Sequence, residues 1–458
     1  QSAKEKVQDF ELSEAESSFM QLLDEGVKTS EVYKGLGDVY FKLEEYKKAL
    51  DYYNEIFELS DGDEALTIDS EISRINVLIK LARFNDAQQK IIQVEKLVED
   101  KSVYLKQYIN ILDIKGNLML IQGILDIAEE YFNKSLETKL KHYGDLNLKV
   151  ADSYNNLGII YRKKNKLKLA EEYILKALDI KKEFLGENHP EIAEVYNSLA
   201  LVYWTANDLE KAEDFLTISI EIKKMIFGEG QVSLAKGYIN LGALYWKKQN
   251  YIEAEEFYKN ALCILKNAFG EEHSNVAVCY YNLGLLYFIT DDLNDAELNT
   301  KKALALCLLI YGEVHPETAK ANNTLGLIYL SRNELNEAEI LEKKALDIYE
   351  NIYGHDDAFL IDAIINIAET LSKKSEFDQA KEYLDRAAKL IEKLNEEDFP
   401  IYYFRLNYLL GLYYKAKGEE DLLSTTISNA KRVVEKIKSV PLYPMLKKQV
   451  EEFLEEHV

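Results

Sequence analysis

One block of sequence returns five times at a fixed interval of 42 residues, which restricts the chain to an architecture of stacked, equivalent units. The block first reads Tyr154-Asn155-Asn156-Leu157-Gly158-Ile159-Ile160-Tyr161. It recurs at Tyr196 to Tyr203, Tyr238 to Tyr245, Tyr280 to Tyr287, Asn322 to Tyr329 and, more weakly, Ile364 to Ala368. Each copy has one small reference residue: Gly158, Ala200, Gly242, Gly284, Gly326 or Ala368. Twelve residues beyond it stands an alanine (Ala170, Ala212, Ala254, Ala296, Ala338, Ala380). Seven further on comes a second small residue (Ala177, Ser219, Ala261, Ala303, Ala345, Ala387). Small side chains at these points let two helices approach closely, while large residues three and four positions away fill the space beside them. Each unit therefore reads as a helical hairpin with one apolar seam, and the chain as all-α.

A single hairpin buries its seam only against its neighbours, so the array is expected to form one continuous solenoid. The pattern extends to Gly37 with Ala49, Gly116 with Ala128 and, loosely, Gly411. The stretch ending Arg83-Phe84-Asn85-Asp86-Ala87 keeps the turn and alanine but not the glycine. About ten hairpins are expected. They divide into divergent repeats over 1–146, regular repeats over 147–395, and a last repeat over 396–458 closed by a glutamate-rich capping helix after Pro441. Leu12-Ser13-Glu14-Ala15 followed by Phe19 resembles the second helix of a hairpin. The numbering is thus expected to begin inside a repeat, with further sequence, or an effector domain, upstream.

Charge narrows the partner classes. The chain has 56 Lys+Arg against 80 Asp+Glu, a net charge of −24, which repels phosphate backbones and argues against direct contact with nucleic acid. Hydrophobic residues at 47% supply a core without wholesale disorder. No run of about 18 apolar residues occurs, so no membrane contact is expected and the reading is cytoplasmic. Cys263, Cys279 and Cys307 lie in helical patterns without ligand spacing and are expected to be small buried hydrophobes.

The Tyr-x-x-Leu-Gly-x-x-Tyr, alanine and small-residue pattern resembles the tetratricopeptide repeat, with tyrosine at the usual first tryptophan. The connectors Gly186-Glu187-Asn188-His189-Pro190 and Gly312-Glu313-Val314-His315-Pro316 are similar to those of the kinesin light chain type of repeat. The resemblance covers 147–354 well. It implies a right-handed superhelix whose concave groove holds another protein or a peptide, in a scaffold that is not an enzyme. A second implication is the sensor or adaptor part of a bacterial-type signalling protein, regulating an effector domain or partner chain when ligand binds. No kinesin-binding heptad segment accompanies the repeats, so motor transport is not implied.

Catalytic and metal-binding readings find no support in the connectors. His189, His273 and His315 occupy one site in the pattern, with Gln231 at the intervening repeat. A metal needs its ligands about 2.0–2.1 Å from one ion, whereas equivalent helices stand about 8–10 Å apart. These histidines instead read as helix-start signals ahead of Pro190 or Pro316. Asp61-Gly62-Asp63-Glu64 lacks calcium-loop spacing, and Gly228-Glu229-Gly230 follows no strand. Gly-x-Ser-x-Gly, His-Glu-x-x-His and Walker sequences are absent, and no cofactor is expected.

The resemblance places positions six, three and two before the reference residue, and one, four and five after it, on the concave surface. Two before stand Asn156, Ser198, Asn240, Asn282, Thr324 and Asn366, and three before stand Asn155, Asn197, Tyr281 and Asn323. Amides offer a donor and an acceptor, suited either to the main chain of an extended peptide or to helices of their own array. Four after come Arg162, Trp204, Trp246, Phe288 and Leu330. An aromatic ring buries about 150–250 Å², so these rings are either ligand anchors or core packed on the neighbouring helix. Asp152, Glu194 and Asp362 face Arg162, Lys163, Lys236, Lys247, Lys320 and Lys373 on this surface. That balance is more basic than the whole chain and would steer in an acidic-aromatic segment. The candidate binding residues are therefore Asn155, Asn156, Arg162, Asn197, Trp204, Asn240, Trp246, Lys247, Tyr281, Asn282, Phe288 and Asn323.

Overall fold

The computed structural model describes residues 12–43, 45–59, 64–98, 103–229, 232–394, 396, 399–437, 442 and 444–457. Among them are 22 α-helices and one 3-10 turn, Ala358–Leu360, and no strand. Helix α1 (Leu12–Asp24) precedes α2 (Ser30–Lys42) with α3 (Tyr46–Leu59), α4 (Glu64–Lys80) with α5 (Phe84–Leu97), and α6 (Leu105–Ile121) with α7 (Leu125–Tyr143). The regular repeats supply α8 (Leu148–Lys163) with α9 (Leu167–Leu185), α10 (Pro190–Thr205) with α11 (Leu209–Phe227), and α12 (Val232–Lys247) with α13 (Tyr251–Phe269). Next come α14 (Ser274–Ile289) with α15 (Leu293–Ile310), α16 (Pro316–Ser331) with α17 (Leu335–Tyr353), and α18 (Ile361–Lys373) with α19 (Phe377–Ile391). The last pair is α20 (Pro400–Lys417) with α21 (Glu420–Ile437), and α22 (Pro444–His457) follows it. The fold is an all-α solenoid of consecutive helix pairs. The Asp61–Asp63 segment, Gly230, Gln231, Pro441 and residues 1–11 lie outside the described residues.

The helices form two compact units, one of residues up to 244 with 264–273, the other of 245–263 with 274–458. In the first unit the seam holds Phe132, Leu157, Ile160, Ile174, Ile192 and Leu199. In the second, Ile364, Ile367, Leu371, Leu384 and Leu409 form one core. Helix α22 lays Leu446, Val450 and Phe453 on Phe404, Val433, Val434 and Ile437. No described helix is long and apolar enough to cross a membrane.

The reference residues are small because the partner helix leaves no room. A Cβ on Gly158 would lie 2.4 Å from Cγ1 of Ile174, and one on Gly284 would lie 2.4 Å from Oγ1 of Thr300. The tyrosine closing each block explains itself one layer out. Tyr287 donates to Glu255 at 2.6 Å and Tyr329 to Glu297 at 2.9 Å, each reaching back to the second helix of the preceding hairpin. Tyr203 makes the equivalent bond to Glu171. A phenol can bury its ring and still satisfy a hydroxyl there.

Chain reversal repeats as well. Asn165, Asn207, Gln249, Asp291, Asn333 and Ser375 adopt left-handed φ after each first helix. The amide one residue later closes the turn, as in Lys166 N to Tyr161 O at 2.8 Å and Asp208 N to Tyr203 O at 2.9 Å. The connectors start helices as expected: Nδ1 of His189 accepts from Glu191 N at 3.2 Å, and Nδ1 of His315 from Glu317 N at 3.2 Å. The cysteine expectation needs one correction. Cys279 and Cys307 are buried, but Cys263 faces solvent on α13, a face that the apolar seam does not use.

Second helices end on glycines such as Gly186, at φ 76° and ψ 175°, a region open essentially to glycine alone. Nothing stands within 4 Å of a Cβ built there, so any penalty is purely conformational. Gly186→Ala should lower the urea stability by about 1–3 kcal/mol. Gly411→Ala is the control, where a Cβ meets only Thr426 Oγ1 at 3.5 Å and Leu423 Cδ1 at 3.7 Å and the backbone is helical. It should be neutral or stabilising. Equal losses at the two sites would contradict this account.

Candidate functional site

The first helix of each hairpin carries the candidate positions. In the first unit, Asn240 Nδ2 donates to Asn197 Oδ1 at 2.6 Å. In the second, Asn366 Nδ2 donates to Asn323 Oδ1 at 2.9 Å, and the Tyr281 hydroxyl lies 3.1 Å from Thr324 Oγ1. All three pairs join the residue three before one reference position to the residue two before the next. The polar ladder is thus partly an inter-hairpin clasp, and Asn197, Asn240, Tyr281 and Asn323 spend bonding capacity on their own array. Asn156 and Asn282 make no side-chain hydrogen bond among the described residues. The Asn155 Oδ1 is buried without a partner among them.

The aromatic positions divide. Trp204, in the first unit, and Trp246, in the second, are half-buried. The Trp246 Nε1 is buried and has no hydrogen-bond partner among the described residues. Phe288 corrects the anchor reading: it is 2% exposed and packed with Ala296, Leu325 and Ile328. The next hairpin supplies Leu325 and Ile328 to cover it, so no face of the ring remains for a ligand.

Charge pairing is selective. In the first unit Lys181 bonds Asp152 at 2.7 Å and Glu191 at 2.6 Å, while Lys223 and Lys236 bond Glu194 at 2.6 and 2.8 Å. Arg162 reaches only Thr205 Oγ1, at 3.3 Å, and Lys163 has no carboxylate partner among the described residues. In the second unit Lys320 sits 4.3 Å over the Tyr281 ring. Among the described residues Lys373 Nζ has only the Met445 thioether, at 2.9 Å. Lys42, Lys163, Lys247 and Lys373 all stand five after a reference residue, and burial around each ammonium holds its pKa below the usual lysine value.

A half-open cavity of about 480 Å³ lies in the second unit. Glu369, Ser372 and Lys373 line it from α18, Phe377 from α19, Tyr408, Leu409, Leu412, Lys415 and Ala416 from α20, and Gln449 from α22. Those on α18 and α20 are offsets +1, +4 and +5 from Ala368, and −3, −2, +1, +4 and +5 from Gly411. Sequence reasoning missed most of them. The signal was Gly411, whose hairpin the repeat pattern traces only loosely.

Beneath the cavity lies a buried polar network. Arg405 donates to Glu369 Oε2 and to Asn366 Oδ1, both at 2.7 Å, and Gln449 Nε2 donates to Glu369 Oε1 at 2.6 Å. Thr370 Oγ1 donates to Glu342 Oε2 at 2.8 Å, whereas Glu342 Oε1 is buried without a partner among the described residues. Burial pushes the Glu342 carboxyl up to about 8, with the nearby Glu369 adding to the shift.

The repeats match the tetratricopeptide repeat family, with models covering residues 108–183, 150–225, 233–308 and 299–351, and others covering 30–63 and 360–401. The chain belongs to the tetratricopeptide repeat family. Among solved structures, the Rap protein complexed with Competence and Sporulation Factor is 16% identical, covering 80% of this chain and 98% of its own at TM-score 0.52. BtubC (BKLC) from P. vanneervenii is 23% identical, covering 50% of this chain and 92% of its own at TM-score 0.43. A putative kinesin light chain from Podosopora anserina with nearly identical TPR-like repeats is 18% identical, covering 45% of this chain and 97% of its own at TM-score 0.38. These likenesses speak to fold alone. No curated protein sequence matches the chain.

Glu342 gives this site a pH signature. The folded chain keeps the Glu342 proton up to about pH 8, while the unfolded chain releases it near the ordinary value of 4.5. Stability therefore falls as pH rises between those values, because the unfolded state binds fewer protons there. Glu342→Gln should leave stability similar near pH 4.5 and raise it increasingly toward pH 8, measured as urea midpoints across that range. A difference that does not grow with pH would rule out a buried neutral carboxyl.

Proposed function

We propose that this tetratricopeptide scaffold binds acidic segments of another protein, each lying on the first helices of one compact unit. The observation carrying this reading is Arg162 and Lys163 in the first unit, cations without a carboxylate partner among the described residues. They belong to a chain of net charge −24 whose neighbouring Lys181, Lys223 and Lys236 are all paired. An incoming carboxylate would supply the charge partner these cations lack, and the local positive charge would speed encounter with acidic partners.

Within this reading Trp204 and Trp246 anchor apolar side chains of these segments. The unpartnered Trp246 N–H waits for an acceptor such as a main-chain carbonyl. Asn156 and Asn282 hold main-chain groups. Asn155, Asn197, Asn240, Tyr281 and Asn323 position that surface through the ladder, and Lys247 adds charge. The Rap structure with Competence and Sporulation Factor is in keeping with ligand binding by this fold.

The test is capture of partners by the immobilised full chain, identified by mass spectrometry, followed by affinity measurement on variants. Trp246→Ala should weaken binding by about 2 kcal/mol with helicity unchanged. Arg162→Glu and Lys163→Glu should each weaken it further at low salt than at high salt. Loss of helicity in Trp246→Ala would assign the indole to the core. Charge reversals that leave affinity unchanged would dismiss the acidic partner.

A further inference from the structure

We propose that the cavity between α18, α20 and α22 is a separate site for a small amphipathic anion, an apolar body of medium alkyl-chain size carrying one carboxylate. The inference stands apart from capture of a partner segment. Its volume of about 480 Å³ lies within the roughly 300–1,000 Å³ typical of small-ligand pockets. Phe377, Leu409, Leu412 and the Tyr408 ring give it an apolar floor with room for a hydrocarbon chain.

The polar groups around that floor leave one sign of charge uncompensated. Glu369 is neutralised by Arg405 at 2.7 Å and holds Gln449 at 2.6 Å, so the carboxylate and carboxamide lining the cavity are already occupied. Lys448, which stands near Lys373, has Glu452 at 3.5 Å. Lys415 has no ion-pair partner among the described residues, and Lys373 has only a thioether sulfur, a poor acceptor for an ammonium. Two cations beside an apolar floor select a ligand with a hydrocarbon body and an anionic end. Helix α22 fixes the site at one edge: Gln449 is pinned to Glu369 while Leu446, Val450 and Phe453 are sealed into the terminal core. The cavity therefore belongs to the folded array and needs no displacement of α22.

The experiment is calorimetric titration of the full chain with decanoate, decanol and acetate at constant ionic strength, below the micellar range of decanoate. Decanoate should bind with one-to-one stoichiometry, and decanol and acetate each at least about tenfold more weakly, since each lacks one of the two features. Lys373→Ala should weaken decanoate about tenfold, and Lys373→Arg should retain it; both side chains reach solvent, and circular dichroism checks their folding. Decanol binding as well as decanoate, no saturable decanoate binding, or indifference to Lys373→Ala would overturn the proposal. Displacement of decanoate by the acidic partner segment would also overturn it, because the cavity would then be part of the partner surface.

Discussion

An isolated helical hairpin of this sequence has an apolar seam and nothing to cover it, and every other property of the chain follows from how neighbours supply that cover. Close approach within each hairpin depends on one small residue. Where it is glycine, as at Gly158 or Gly284, the facing Ile174 or Thr300 occupies the space a methyl group would need. Between hairpins, the tyrosine hydroxyls of Tyr287 and Tyr329 reach the glutamates of the preceding layer. Packing and polar bonding thus share a single period, so one 42-residue rule sets both at once.

The same stacking decides how many side chains at these first-helix positions keep bonding capacity to spare. Side chains three before one reference residue meet those two before the next, and the ladder of amides closes on itself at Asn197 with Asn240 and at Asn323 with Asn366. Stacking also carries Phe288 into the core, whereas the indole of Trp246 keeps an N–H that nothing described accepts. What remains is chemically lopsided. The acidic side chains of the inner positions are used by lysines such as Lys181 and Lys223, and a smaller set of cations is left over.

At the C-terminal end the balance shifts from apolar seam to buried polar network. Arg405, Glu369, Asn366 and Gln449 bond one another across α18, α20 and α22, which ties α22 to two hairpins rather than one. Glu342, at a position where equivalent repeats place Ile174 or Leu384, remains protonated near neutrality because burial disfavours its charge. Substituting a carboxyl for an aliphatic side chain there costs stability as pH rises, and its contact with α18 is through Thr370.

The sequence by itself determined the helical class, the hairpin period and the helix-start role of His189 and His315, because each follows from residues within one or two repeats. Local sterics fix a left-handed turn or a glycine connector whatever lies further along the chain. It also marked the inner positions, but not which of them stay accessible. That was decided by the tertiary structure: whether Asn240 faces a ligand or Asn197, and whether Phe288 is anchor or core, depends on the side chain arriving from the next layer. The cavity beside Lys373 was least legible of all. Its walls come from a weakly repeated hairpin and from α22, and its polarity from an ion pair and hydrogen bonds between residues up to 80 positions apart, which no short-range pattern encodes.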